Sequence, residues 1–330
     1  MPSQNTHVVV VGGGYAGTLA ANHLQLRDDV DVTLINPRPE FVERIRLHQL
    51  AAGTRTATAG FDELLHDRVN LVVDSVDRID VPNRTLELGS RQELAYDYLI
   101  YAVGSTGLIT AAVPGAVQFA HAVAELETAE GLRTKLAHAA NSDPIVVIGA
   151  GLTGVELASE LAEQGRRVTL ACGGKLAPYL GAPARRSMDA WFRRHGVDVR
   201  AESVVEVRED AVVLDDGTVL PSAVTVWTAG FAVPNLAERS GLRTDDIGRL
   251  ITDETLTSLD DERIVAAGDA AAPSGVPLRM SCQAAGPLGV QAANTVLSRI
   301  AGTSPAALDQ RFVGACISLG RRGGVFQVAR

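Results

Sequence analysis

The residues best suited to chemistry in this chain are glycines. Gly12, Gly14 and Gly17 follow a run of valines, and Gly149, Gly151 and Gly154 follow PIVVI. Each set has the spacing GxGxxG. The first glycine permits a tight turn out of a strand. The second lets the backbone approach a pyrophosphate. The third lets the following helix pack close to the strand, whose neighbouring helix N-terminus then offers free N–H groups and a partial positive charge to phosphate. One such motif alone also fits a plain strand–helix turn. Two copies, each inside its own β-α-β pattern, favour two dinucleotide sites.

The elements that must position these turns are legible as a repeat. HVVVVGGGYAGTLAANHL (7–24) and PIVVIGAGLTGVELASEL (144–161) are copies of one pattern. An apolar β-branched run leads into a glycine turn, then into small and apolar residues at helical spacing. A run apolar on both faces reads as a buried parallel strand. A second strand follows each copy, VDVTLIN (30–36) and RRVTLAC (166–172). Short strands come next: NLVVDSV (70–76), RTLELGS (84–90) and YDYLIYAVGS (96–105). The second half repeats this order with 197–207, 211–220 and 223–230, and Asp216-Gly217 marks a hairpin. IVAAGDAA (264–271) reads as one more strand of the first sheet, with a helix from Pro287 to about Ile300 after it.

The fold class is therefore α/β, with two Rossmann-like, three-layer ββα dinucleotide-binding domains and a short C-terminal strand segment. The second domain is inserted in the first. The expected boundaries are 1–113 with 236–302, then 114–235, then 303–330 as the start of a C-terminal interface domain.

Composition narrows the function classes. The chain has 330 residues, 46% of them hydrophobic, enough for two cores. A net charge of −9 argues against a nucleic-acid partner. No run of about 20 apolar residues is present to span a membrane. The N-terminus enters its first strand without a basic segment and cleavable apolar core, so the expected location is cytoplasmic. Cys172, Cys282 and Cys316 form no close pair, so neither a redox dithiol nor a metal site is expected. Arginine far outnumbers lysine (only Lys135 and Lys175), a bias that points to a bacterial source.

The ribose-binding positions depart from the usual pattern. An acidic residue normally ends the second strand. Asn36 stands there in the first copy and can still donate and accept. In the second copy the position falls at Cys172, followed by Gly173, Gly174 and Lys175. Without a carboxylate, discrimination against a 2′-phosphate is lost. Lys175 with Arg166 or Arg167 either meets that phosphate or simply solvates a surface loop.

Five ordered motifs carry a family likeness: VGGGYAG (11–17), YAVGS (101–105), IGAGLTGVELASEL (148–161), WTAG (227–230) and AAGDAA (266–271). On these the chain resembles the FAD/NAD(P)-dependent pyridine nucleotide-disulfide oxidoreductase superfamily, nearest to type II NADH dehydrogenase-like FAD-dependent oxidoreductases. The resemblance implies FAD on the first turn, held by Gly12, Gly13, Gly14, Tyr15, Ala16 and Gly17, with Asn36, Val76, Gly104, Gly268 and Asp269. Arg44 and Gln49 lie in 38–53, which resembles the segment running under the flavin ring. His48, in the same segment, is readable as an acid or base, although a lone histidine there is more often structural. NADH or NADPH is implied as co-substrate on Gly149, Gly151, Leu152, Thr153 and Gly154. Glu156 falls where type II NADH dehydrogenases carry a glutamate near the nicotinamide, and is the expected catalytic residue. A carboxylate just inside a helix is also favoured by the helix dipole.

The implied activity passes hydride from NAD(P)H to flavin N5 and then to a small electrophilic acceptor such as a quinone. No cysteine precedes Cys172, which argues against disulfide reduction. In SCQAAGPLGVQAA (281–293) Gln283 is kept, but the glutamines that follow it in the quinone-reducing branch are replaced. Two other readings stay open. One is a flavin-dependent oxidase or tailoring enzyme with a degenerate nicotinamide site. The other is a non-catalytic FAD-binding partner protein. A homodimer is a family-level expectation.

Overall fold

The computed structural model describes residues 5–275, 278–310 and 314–328. Contacts divide the chain into two units. The first comprises 1–42, 58–106 and 232–312, and the second 43–57, 107–231 and 313–330.

In the first unit the strand Thr6–Val11 lies at the centre of a five-stranded sheet. It pairs in parallel with Val30–Asn36 on one side and Tyr98–Tyr101 on the other. Val69–Val73 and Ile264–Ala266 form the edges. Val8, Val9 and Val10 are fully buried, in one apolar cluster with Ala20 and Leu24 of the first helix and with Ile79, Leu86 and Leu88 of the antiparallel meander Val76–Asp80, Thr85–Leu88 and Glu93–Ala95. Burial of each valine contributes roughly 1.5–3 kcal/mol, before the entropy cost of ordering it.

The helix Tyr15–Leu24 turns Ala16, Gly17, Ala20, Ala21 and Leu24 inward. A late helix, Cys282–Ile300, packs beside it. A methyl group on Gly289 would lie 2.2 Å from the Ala16 carbonyl oxygen, so small residues set the distance between these two helices.

The second unit repeats the plan. Pro144–Ile148 is central, between Arg167–Ala171 and Val224–Trp227, all parallel. Asp198–Arg200 and Ala120–Ala122 complete five strands. A three-stranded meander, Val204–Val207, Ala211–Leu214 and Val219–Pro221, again forms a second layer. The helix Leu152–Glu163 follows the glycine turn. A C-terminal hairpin, Gly314–Leu319 with Gly323–Val328, packs on that helix and on Ala182–Arg194. The two-Rossmann α/β class read from the repeat is what the chain adopts.

Several sequence expectations change in detail. The stretch 70–76 is two strands rather than one. Asp74 accepts the Ser75 N–H at 2.7 Å and the Ser90 N–H at 3.3 Å, turning the chain into the meander. The stretch 197–207 splits likewise, between Arg200 and Val204. The late helix begins at Cys282, not Pro287. Ser281 caps it by accepting the Ala284 N–H at 3.3 Å, and Pro287 sits inside the helix.

The contact division also differs from the sequence boundaries. Residues 43–57 group with the second unit because the helix Leu47–Ala51 packs on Leu126–His138 and Leu152–Glu163. Residues 303–312 group with the first unit. There Gln291 donates to the Ala306 carbonyl, and the Leu308 N–H to the Glu254 carbonyl.

The two outer glycines of each turn are fixed by close approach. A methyl on Gly17 would lie 1.8 Å from the Gly12 oxygen, and one on Gly154 would lie 1.8 Å from the Gly149 oxygen. Around Gly14 and Gly151 a methyl would meet nothing within 4 Å. Thermal melts should therefore separate the positions. Gly17→Ala and Gly154→Ala should each cost about 2–4 kcal/mol. Gly14→Ala and Gly151→Ala should cost no more than about 1 kcal/mol.

Candidate functional site

The first glycine turn is held by its own neighbours. Gly12 has φ +104°, and a methyl there would lie 2.4 Å from the Ala102 oxygen. Asn36 accepts the Gly13 N–H at 2.9 Å and donates to the Arg38 oxygen at 2.7 Å. Its amide oxygen thus pins the turn, and hydrogen bonds to the protein use one of its two amide hydrogens among the described residues. Tyr15 meets Phe41 edge-on at 5.1 Å, and Ala16 is buried.

At the same C-terminal edge of this parallel sheet, Asp269 accepts the Ser105 hydroxyl at 2.7 Å and the Ser281 N–H at 3.1 Å. It joins the loop after Tyr98–Tyr101 to the late helix cap. Gly268, beside it, is packed against Ala16, with a methyl there 2.9 Å from the Ala16 Cβ. Gly104 faces open space. Val76 opens the meander opposite Leu88.

The second turn is built the same way with a different brace. The Thr228 hydroxyl donates to the Ile148 oxygen at 2.8 Å and to the Gly149 oxygen at 3.0 Å. Leu152 and Thr153, the first helical residues, are half-buried. Cys172 is half-buried beside Glu202, and burial pushes its thiol up to about 11, so it stays protonated. Arg166 is committed elsewhere, donating to the Leu136, Ala139 and Ala140 carbonyls at the end of the helix Leu126–His138. Arg167 and Lys175 are exposed.

Glu156 lies one turn into the helix Leu152–Glu163, in a cluster that sequence reasoning did not assemble. Its Oε1 accepts the Ser318 N–H at 2.9 Å and the Ser318 hydroxyl at 3.3 Å. Its Oε2 is 3.7 Å from His48 Nδ1. The side chains are 18% and 4% exposed. Burial raises the Glu156 carboxyl to about 7, against the two Ser318 bonds that lower it. Burial lowers His48 to about 4, against a ring bond to the Ile45 backbone that raises it and with help from Arg321 and Arg46. At neutral pH the imidazole is therefore neutral, and the carboxyl keeps its proton to a higher pH than an exposed glutamate does.

One turn further on, Glu160 is 1% exposed. It accepts the Thr54 hydroxyl at 3.0 Å and faces Arg321 at 3.7 Å. Glu163 accepts the Arg321 N–H at 2.6 Å. A signal for this cluster was present in the sequence: Glu156, Glu160 and Glu163 share one helical face among apolar residues. Its partners, from 43–57 and from the C-terminal hairpin, are distant in sequence and could not be read from it.

Arg44 and Gln49 belong to the same segment as His48. Arg44 donates to the Ala124 carbonyl at 3.1 Å, and Gln49 is buried with its amide oxygen unpartnered among the described residues. No group of three metal-ligating side chains occurs among the described residues. No described helix is long and apolar enough to cross a membrane.

The pyridine nucleotide-disulphide oxidoreductase family matches residues 6–293. The chain belongs to that family. It is accordingly an enzyme of the NAD(P)H-dependent flavoprotein oxidoreductase class. It is 30% identical to a NADH dehydrogenase-like protein of Mycobacterium tuberculosis, over 97% of this chain and 87% of the relative. It is 28% identical to the type II NADH:quinone oxidoreductase Ndh of the same organism, over 92% of this chain and 75% of that one. In structure it is similar to NDH2 from Plasmodium falciparum in complex with NADH. There the TM-score is 0.85 at 16% identity, over 98% of this chain and 90% of the other.

The acid pair carries a stability signature. Between about 4.5 and 7 the folded chain keeps a proton on Glu156 that the unfolded chain has lost. Glu156 therefore makes stability fall as pH rises through that window. His48, lowered from 6.5 to about 4, acts in the opposite sense between those values. Glu156→Gln removes the first effect while keeping an acceptor for Ser318. Relative to the unsubstituted chain, its Tm should gain roughly 2–5 °C between about pH 5 and about pH 8. A constant difference would contradict the raised carboxyl.

Proposed function

We propose that the chain is an FAD-dependent NAD(P)H:acceptor oxidoreductase, with FAD on the first glycine turn, NAD(P)H on the second and a small quinone-like electrophile as acceptor. The observation that carries this reading is the open space around Gly14 and Gly151. The protein's own packing explains Gly12 and Gly17, and Gly149 and Gly154. It does not explain the middle glycines, which have ordinary φ values of −80° and −70° and no neighbour a methyl would touch. A pyrophosphate seated there requires the missing side chain.

The residues around the first turn fit a dinucleotide. The helix Tyr15–Leu24 begins at Gly14 without a side-chain cap, and the N-terminal end of a helix favours a phosphate. Asn36 offers its remaining amide hydrogen to a ribose hydroxyl, and Asp269, with Ser105, would lie along the ribityl chain. Bound FAD would supply the two-electron carrier that accepts hydride at flavin N5. The protein's part is to fix the pyrophosphates and to hold a proton on Glu156 for the second half of the reaction. The relatives' names, NADH dehydrogenase-like protein and type II NADH:quinone oxidoreductase, support the donor and the acceptor class.

Loss of Arg166 to helix capping leaves Arg167 and Lys175 as the cations for a 2′-phosphate, against the one carboxylate of Glu202 beside Cys172. NADH and NADPH should thus both serve. Cys172→Glu should lower kcat/KM for NADPH about tenfold relative to NADH. An unchanged ratio would remove position 172 from the ribose site.

The two turns are separable by substitution. Gly14→Ala should purify with at least about tenfold weaker FAD binding, read from flavin absorbance per chain. Gly151→Ala should keep its flavin and raise the KM for NAD(P)H by about tenfold or more. Equal flavin loss in both variants, or in neither, would contradict the assignment.

A further inference from the structure

The strand Arg167–Ala171 ends without a carboxylate of its own, because Cys172 stands there. The segment after the neighbouring parallel strand, Asp198–Arg200, supplies one. The two segments stay joined past their strand ends. The Cys172 N–H donates to the Arg200 carbonyl at 2.7 Å, the Gly173 N–H to the Glu202 carbonyl at 3.2 Å, and the Gly174 N–H to the Ala201 carbonyl at 2.6 Å. Neighbouring strands lie about 4.8 Å apart, a gap that a glutamate side chain spans. Glu202 sits close enough for its carboxylate to oppose ionisation of the Cys172 thiol. Its Oε2 is shielded from solvent and has no hydrogen-bond partner among the described residues. An ionised carboxylate only accepts hydrogen bonds, and a shielded acceptor without a donor is unfavourable. Hydroxyl groups of a ligand at this edge would be the donors it lacks.

We propose that Glu202 binds the adenosine ribose of NAD(P)H, in the role that a carboxylate at position 172 would otherwise have, and that it sets a preference for NADH over NADPH. The inference rests on the nicotinamide nucleotide occupying the second glycine turn, as proposed above. Every residue it uses lies in the second unit. A pyrophosphate at Gly151 lies past the end of Pro144–Ile148. The adenosine ribose then lies past the end of the next strand, Arg167–Ala171. That is the edge where Cys172 and Glu202 meet. The 2′- and 3′-hydroxyls of NADH donate to the carboxylate. In NADPH the 2′-phosphate has replaced one of those donors and brings negative charge of its own, so it loses a hydrogen bond and meets repulsion.

The charges around Glu202 decide the size of the preference. Arg200 donates to Asp198 at 2.9 Å, and the charges of Asp198, Glu202 and Asp216 all act on its guanidinium. Its own charge is thus matched three times over before any ligand arrives. Arg167 and Lys175 are exposed, where solvent and salt screen their pull on a 2′-phosphate. The loop between Cys172 and Lys175 leaves room for a sugar. A methyl on Gly173 would come no nearer than 3.9 Å to its closest neighbour, the Ser203 hydroxyl, and one on Gly174 would meet nothing within 4 Å. NADPH therefore stays a substrate, and NADH is the better one by about tenfold.

The test uses the full chain loaded with FAD, so that the first turn is occupied. Its probes are ADP-ribose and 2′-phospho-ADP-ribose, which carry the ribose and no nicotinamide. Calorimetry should show the unsubstituted protein binding ADP-ribose about tenfold more tightly than the phosphorylated probe. Glu202→Gln should weaken ADP-ribose about fivefold and tighten the phosphorylated probe about fivefold, reversing the preference. Glu202→Asp should keep it. Cys172→Glu added to Glu202→Gln should restore it, because the carboxylate returns to the same edge. In turnover the effect should appear in the KM for each nucleotide rather than in kcat. An unchanged ratio in Glu202→Gln, equal weakening of both probes, or a lost preference that Cys172→Glu does not restore would overturn the ribose role. No binding of either probe to the unsubstituted protein, with no reduction of its flavin by NADH or NADPH, would instead sink the function proposed above.

Discussion

A methyl group on Gly17 would sit 1.8 Å from the Gly12 carbonyl oxygen, and one on Gly154 would sit at the same distance from Gly149. That approach of helix to strand is the constraint on which the structure depends. It brings the helix N-terminus directly after the strand end. The central strands Thr6–Val11 and Pro144–Ile148 are buried on both faces because helix and meander close over them. Asn36 braces the first turn and Thr228 the second, with unrelated side chains doing the same mechanical work.

The repeat made most of this legible. Apolar runs, glycine spacing and β-branched second strands are local signals, and the central strands of both sheets followed from them, whereas the edge strand Ala120–Ala122 did not. Strand breaks at Asp74 and after Arg200 were not legible, because both interrupted runs stay strand-like in composition. The start of the late helix at Cys282 was obscured by Pro287, a residue that normally marks a boundary. In this chain the Ser281 cap lies upstream of it.

The site divided along the same line. The glycines and Asp269 lie at strand ends where their spacing placed them. Asn36 proved to be a brace first, with only part of its hydrogen-bonding capacity left over. Arg166 proved to cap a helix. Glu156 was visible as a residue, but its environment was not. His48 and Ser318 reach it from segments more than 100 residues away on either side, and burial by those segments raises its carboxyl. Long-range packing of this kind has no sequence periodicity to betray it.

The function proposed above is hydride transfer from NAD(P)H to FAD. Anaerobic titration of the flavin-loaded protein with NADH, and separately with NADPH, tests it most directly. The flavin absorbance band should bleach with about one equivalent of either nucleotide. A band unchanged by excess of both would contradict it.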